Sequence, residues 1–153
     1  MKTRIGVAGI LAAACAGVIL SPSAALADTP ANSIGPGMIQ NVQTALCLDG
    51  DHSGNIYTKG CSVDNPYQHW RRFGDGRMQS VATGLCLTAV DAGSVRGTSC
   101  GRPEGQQWTN TYQWGSSMLL NNYYLNVLDS DTKGNAYMKD PSKGNPYQGW
   151  KLL

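Results

Sequence analysis

The stretch Asn65-Pro66-Tyr67-Gln68-His69-Trp70 returns as Asn145-Pro146-Tyr147-Gln148-Gly149-Trp150, and its ending appears a third time as Gln106-Gln107-Trp108. The three tryptophans are 38 and 42 residues apart, and the first and third copies hold one register of 80 residues without insertion. Upstream of each lies a second landmark. Val42-Gln43-Thr44-Ala45-Leu46-Cys47-Leu48-Asp49 is echoed by Val81-Ala82-Thr83-Gly84-Leu85-Cys86-Leu87-Thr88, and more weakly by Asn122-Tyr123-Tyr124-Leu125-Asn126-Val127-Leu128-Asp129. Gly54-Asn55-Ile56-Tyr57 likewise returns as Gly134-Asn135-Ala136-Tyr137. Self-similarity at a period near forty residues marks a repeat architecture, in which each unit needs its neighbours to bury its apolar face.

Inside each repeat the segments are short. Met38 to Thr44 alternates, Ile56 to Lys59 is β-prone, and each Gln-x-Trp runs into a stretch such as Arg71-Arg72-Phe73 or Lys151-Leu152-Leu153. Gly, Asn, Asp and Pro punctuate them. Abundant glycine (19 residues) and few charged residues (14%) suit a turn-rich β protein. The expectation is an all-β chain of three repeats, about 38–74, 77–113 and 118–153, with about four short strands each. Twelve strands closed in this way form a β-trefoil, and closure leaves few exposed edges. Residues 28–37 read as a flexible lead-in.

The first residues belong to no fold. Lys2 and Arg4 precede an apolar run from Ile5 to Leu20, and Ala25-Leu26-Ala27 supplies a small-x-small cleavage signature. Residues 1–27 therefore read as a secretory signal peptide, and the expected location is extracellular. A membrane-spanning helix is the alternative, but the run is short and leads straight into the cleavage signature. Lys2 and Arg4 leave with the leader, so the 12 basic residues become 10, against 10 acidic. A net charge near zero, without a basic stripe, removes the electrostatic argument for nucleic acid or an anionic membrane as partner.

Of the five cysteines, Cys15 lies in the leader, and Cys47, Cys61, Cys86 and Cys100 remain. An even number in an exported chain reads as disulfides, and four cysteines allow three pairings. The repeat chooses among them. Cys47 to Cys61 and Cys86 to Cys100 both span 14 residues at equivalent places, so each of the first two repeats is expected to carry its own bridge. The third repeat has Val127 and Pro141 there. The spacing is not that of a close metal-binding pair, and no metal or cofactor is expected.

Residues 38–153 resemble the ricin-B-type lectin family, through Cys-Leu-Asp, then Tyr and Cys, then Gln-x-Trp in threefold repetition. More narrowly, Leu-Asp-x-x-x-x-Gly-Asn-x-Tyr followed by Tyr-Gln-x-Trp is similar to actinohivin-like secreted bacterial lectins, which are selective for mannose-rich glycans. The resemblance implies a non-catalytic, glycan-binding module. The Trp of each repeat (Trp70, Trp108, Trp150) reads as core packing, and its Gln (Gln68, Gln106, Gln148) as a tie between loop backbone and core.

The binding residues are expected where the repeats differ. Asp49 and Asp129 can each accept two hydrogen bonds from vicinal sugar hydroxyls, whereas the second repeat has Thr88. An Asp that merely satisfies a turn is the alternative, but such an Asp should have been needed in the second repeat too. Tyr57 and Tyr137 offer a ring face and a hydroxyl, with Arg96 in the second repeat, and Tyr67 and Tyr147 are the candidate second wall. Two positions depart from the family pattern. Lys59 and Lys139 stand where an apolar residue is usual, and Ser62 and Ser142 where Asn is usual. The lysines bring positive charge to the rim and widen the expected ligands to anionic sugars. Asn65 and Asn145 are candidates for the missing amide. The second repeat, with Thr88, Arg96 and Gly101, reads as a degenerate site.

Catalysis is not expected. His52 and His69 match no catalytic motif, and His69 fills the variable place of Gln-x-Trp as a surface residue. Asp49 with Asp51 invites a glycosidase reading, but the sequence gives neither an enclosing cleft nor evident burial. The rival to the lectin reading is a secreted β-trefoil protein-recognition factor such as a protease inhibitor, since fold does not fix function. Such a factor needs no polar site repeated in two units.

Overall fold

The computed structural model describes residues 33–101 and 104–153. It consists of twelve strands: β1 (Ser33–Asn41), β2 (Leu46–Gly50), β3 (Ile56–Gly60), β4 (His69–Phe73), β5 (Met78–Ser80), β6 (Cys86–Ala89), β7 (Val95–Thr98), β8 (Trp108–Gln113), β9 (Ser116–Asn121), β10 (Val127–Ser130), β11 (Ala136–Lys139) and β12 (Trp150–Leu152). Four fall in each repeat, and among the described residues no α-helix occurs. A 3-10 turn precedes the last strand of each repeat, at Pro66–Gln68, Glu104–Gln106 and Pro146–Gln148. All pairing is antiparallel, and β12 returns to β1 through Ile39↔Leu152 and Asn41↔Trp150, which brings the last repeat back to the first.

The core is built in threefold layers. Leu48, Leu87 and Leu128, one per repeat, have no exposed surface, and Ile39, Met78 and Leu119 form a second equivalent set. Around them lie Trp70, Trp108 and Trp150, each at most 5% exposed. A buried indole N–H needs an acceptor, and each donates to the carbonyl of its own repeat's central leucine: Leu48 at 3.0 Å, Leu87 at 2.9 Å and Leu128 at 2.8 Å. The tryptophan therefore fixes the last strand of a repeat against its second.

The glutamines fix the loops. Gln68 accepts the Ser62 N–H (2.8 Å) through Oε1 and donates through Nε2 to the Gly60 carbonyl (2.9 Å), while itself fully buried. Gln148 does the same with Ser142 and Asp140, and Gln106 with Gly101 and Ser99. Gln-x-Trp thus supplies in each repeat the polar partners of a loop that leaves the sheet.

Cys47–Cys61 and Cys86–Cys100 are bonded, with Cα–Cα distances of 5.0 and 5.1 Å. In the third repeat Val127 is buried at the first cysteine's place, and Asn126 Nδ2 beside it donates to Asp140 Oδ1 (3.2 Å).

One boundary differs from expectation. Residues 33–37 are not lead-in but the start of β1, paired with β4 through Ser33↔Phe73, Ile34↔Arg72 and Gly37↔Trp70. The register shifts between Ile34 and Gly37, and Pro36, which has no N–H for a ladder, falls in that irregularity. Gly37 faces the Leu153 carbonyl, where a Cβ would come within 2.4 Å. Residues 1–32, which include the expected signal peptide, lie outside the described residues.

Candidate functional site

In the first repeat β2 and β3 form a hairpin with Asp49 directly opposite Tyr57, and β10 and β11 place Asp129 opposite Tyr137 in the third. Each hairpin turns through Asp-x-x-Gly-Asn. Asp51 accepts the Asn55 backbone N–H (2.9 Å) and its amide (2.8 Å), and Asp131 binds Asn135 the same way at 3.0 and 2.7 Å. These bonds, the side-chain amide first, hold both carboxyls below the ordinary carboxylate pKa. The glycine between them has to be glycine. Gly54 has φ +77° and a Cβ would stand 2.3 Å from the Gly97 carbonyl, while Gly134 has φ +89° and packs on the Thr58 carbonyl. The repeated Gly-Asn is therefore turn chemistry that also brings the three hairpins together.

Asp49 and Asp129 are not where the sequence alone placed them. Both are almost fully buried, at 2% and 1% exposure, which corrects the expectation of no evident burial. Asp49 Oδ2 accepts the Asn65 amide at 2.9 Å, and Asn65 Oδ1 accepts the Tyr67 N–H at 3.1 Å. The third repeat repeats both bonds, Asn145 to Asp129 at 2.9 Å and Tyr147 to Asn145 at 3.1 Å. Each carboxylate thus fixes, through one amide, the 3-10 turn that presents the second tyrosine. The other oxygen, Oδ1 of Asp49 and of Asp129, is buried without a hydrogen-bond partner.

Beside this carboxylate in the first repeat lies an open depression of about 440 Å³, lined by Asp49, Asp51, His52, Ser53, Tyr57, Lys59, Asn65 and Tyr67. Burial, and then the charges of Asp49 and Asp51, push the Tyr57 phenol above its ordinary pKa. Burial and then Asp129 and Asp131 do the same for Tyr137. Both phenols therefore remain hydrogen-bond donors throughout the neutral range. The Tyr137 hydroxyl donates to the Ser130 carbonyl at 3.3 Å.

Of the residues expected at the first site, Asp49, Tyr57, Lys59 and Tyr67 come together on this depression, and Ser62 does not line it. Ser62 and Ser142 are drawn instead to the Gln68 and Gln148 side chains by their backbone N–H groups. Asn65 and Asn145 turn their amides to the carboxylates, Nδ2 donating to Oδ2 of Asp49 and of Asp129, while their Oδ1 atoms accept the Tyr67 and Tyr147 N–H groups. Two residues have parts here that the sequence reading did not give them. His52 lines the depression, with its ring edge-on to Tyr67 at 5.7 Å. Arg96, from the second repeat, donates to the Ser53 carbonyl at 3.1 Å and so braces the first repeat's turn. No local pattern could signal either one, since both depend on the folding of a turn against another segment.

The second repeat lacks this arrangement. Thr88 Oγ1 accepts the Gln106 amide (3.0 Å) and pairs with Thr98 Oγ1 at 2.7 Å, at the place where the other repeats hold a carboxylate. Thr88 shares its contact with Gln106 with the third repeat's Asp129, which accepts Gln148 Nε2 at 3.2 Å. Acceptance from this Gln is thus common to the second and third repeats, whereas the Gln68 side chain in the first bonds Ser62 and Gly60. The Asp-Asn pair is additional, and the sequence place of Asn65 and Asn145 is Pro103 in the second repeat.

A threefold all-β barrel with paired polar and aromatic clusters on two of three hairpins defines a β-trefoil of the lectin type. The profile of the ricin-type β-trefoil lectin domain matches residues 35–150, and the chain belongs to that family. No relative among the curated proteins matches it significantly. Among solved structures it is similar to a non-toxic homologue of type II RIPs from Momordica charantia (bitter gourd), in complex with α-methyl-D-galactoside, at TM-score 0.70 and 19% identity over 80% of this chain and 48% of that one. It is also similar to the haemolytic lectin CEL-III, at TM-score 0.70 and 24% identity over 82% of this chain and 31% of that one. The chain thus spans about half or less of either neighbour, and at these identities the likeness carries the fold.

Proposed function

We propose that this chain is a secreted, non-catalytic lectin with two saccharide sites, one on the β2–β3 hairpin of the first repeat and one on the β10–β11 hairpin of the third. The observation that carries the reading is the duplicated constellation itself. Asp49 with Asn65, Tyr57 and Tyr67 recurs as Asp129 with Asn145, Tyr137 and Tyr147, and the Asp–Asn and Asn–Tyr bonds recur with them. In each, a carboxylate with one oxygen outside the Asn bond stands beside a phenol that keeps its proton. A sugar offers hydroxyl donors for that oxygen and an apolar ring face for a tyrosine. The depression is open, which suits a terminal sugar better than an extended substrate awaiting cleavage.

The ligand is a neutral or anionic glycan. Mannose-rich glycans follow from the actinohivin-like pattern, and galactosides enter because one structural neighbour holds α-methyl-D-galactoside. Lys59 on the rim of the first site, with Lys139 equivalent to it in the third, admits a sugar acid. Two weak sites on one rigid scaffold gain affinity for multivalent glycans through effective concentration. The leader-like pattern of residues 1–27, a basic start, an apolar run and Ala25-Leu26-Ala27, supports the reading that the protein is exported. A glycan array probed at two salt concentrations tests this reading. Binding to a defined glycan class is expected, and salt sensitivity would assign a part to the lysines. Absence of binding to any glycan would overturn it.

A further inference from the structure

The β8–β9 hairpin closes with a two-residue turn, Gln113 opposite Ser116, with Trp114 and Gly115 between them. Both central residues have positive φ, +50° at Trp114 and +83° at Gly115, the pattern of a type I′ turn. Asn or Gly is favoured at the first of these positions, and a bulky ring there stores backbone strain. Nor does Trp114 serve the core. It is 51% exposed, whereas the other three tryptophans are at most 5% exposed. The corresponding β4–β5 turn carries Gly74, Asp75 and Gly76 at its tip.

Trp114 stands over a depression of about 250 Å³, lined also by Ser116, Met118, Gly144, Asn145 and Pro146. Asn145 is the residue whose amide binds Asp129 and whose turn presents Tyr147. The depression thus shares Asn145 with the third-repeat constellation and lies against its 3-10 turn. Its lining joins an aromatic face and apolar edges to hydroxyl and amide groups, the mixture that receives a pyranose.

We propose that Trp114 and this depression form a second saccharide subsite, which takes the next sugar residue of an oligosaccharide held at Asp129. This rests on the lectin reading of the third repeat and deepens it. The third site then distinguishes a longer glycan from a monosaccharide.

The test uses Trp114→Asn, which puts the favoured Asn-Gly pair into the turn and so preserves or raises the melting temperature. Probes are methyl α-D-mannoside, methyl α-D-galactoside, mannotriose and galactobiose, read by calorimetry and by acrylamide quenching of tryptophan fluorescence. Because the other indoles are buried, quenching reports Trp114. The expected result is that an oligosaccharide shields Trp114 from acrylamide while the methyl glycoside does not. Trp114→Asn then weakens the oligosaccharide about tenfold and leaves the methyl glycoside unchanged. With the first-repeat site weakened by Asp49→Asn, oligosaccharide binding lost on adding Asp129→Asn but unaffected by adding Trp114→Asn, with unshielded Trp114, would overturn the subsite and keep the lectin reading. Absence of binding by every probe would overturn both.

Discussion

Replacing Asp49 and Asp129 by Asn separates the two jobs that the structure gives these carboxylates. Oδ2 of Asp49 accepts the Asn65 amide at 2.9 Å, and Oδ1 is buried without a partner. Asparagine keeps one carbonyl oxygen for the Asn65 amide and turns the other oxygen into an N–H donor. On the stability side, a charge-assisted bond becomes a neutral one, a loss of about 1 kcal/mol. Removing a buried charge with an unpartnered oxygen offsets much of this, because desolvating a charge is costly. Asp49→Asn should therefore change stability by less than about 1 kcal/mol. Binding loses a charge-assisted bond from a sugar hydroxyl, about 1.5–3 kcal/mol, or roughly 10- to 150-fold in Kd at each site. Asp→Ala is the poorer probe. It strands the Asn65 amide and frees the turn that presents Tyr67, so stability falls by about 1–3 kcal/mol together with binding. The assays are thermal unfolding and calorimetric titration with a glycan selected on an array. If the double Asn variant bound as tightly as the parent, the carboxylates would serve only to anchor the 65–68 and 145–148 turns.

Four further outcomes are expected. Replacing Cys47 and Cys61 together by Ala should cost about 3 kcal/mol, read in chemical denaturation, because the bridge closes a 14-residue separation in the unfolded chain. Leu125→Gly should raise the melting temperature by a few degrees, since Leu125 is 65% exposed with φ +59° and Gly84 occupies the equivalent place at φ +70°. Unchanged or lower stability would show that the leucine packs in a way its exposure hides. On acidification, Asp51 and Asp131 have folded pKa values below the unfolded one, so their contribution is present above about pH 4 and lost as pH falls further. Asp51→Ala with Asp131→Ala should flatten the melting temperature between pH 5 and pH 2.5. At the alkaline end, Tyr57 and Tyr137 have raised folded values, so their contribution is intact below about pH 10 and lost above it. Ultraviolet titration of Tyr57→Phe and Tyr137→Phe should each delete one late-ionising phenol.

The scaffold was legible because it is written three times. Trp70, Trp108 and Trp150 make one contact each with Leu48, Leu87 and Leu128, so the repeat in sequence is a repeat of bonds. The disulfides followed from the same register. The start of β1 was not legible, because Gly35-Pro36-Gly37 has the composition of a linker and is made strand by partners at residues 70–73 and at Leu153. At the site, Asp49 and Tyr57 face each other across one hairpin, a local relation that sequence can carry. The burial of Asp49 was hidden, since it depends on Asn65 reaching back across 16 residues. His52 and Arg96 were hidden for the same reason. Their roles arise where a turn of one repeat meets Tyr67 or where the second repeat meets Ser53. Thr88 shows a subtler limit. Its difference from Asp49 reads as loss of a ligand, yet part of what is conveyed at that position is acceptance from the neighbouring Gln.

The central claim is a threefold scaffold with sugar sites on two hairpins only. Backbone amide NMR titration with the array-selected glycan tests it most directly. Saturating shifts should cluster at residues 49–67 and 129–147, with the amides of 86–106 unmoved. Shifts centred on Thr88 and Arg96, or confined to a face away from all three hairpins, would contradict it.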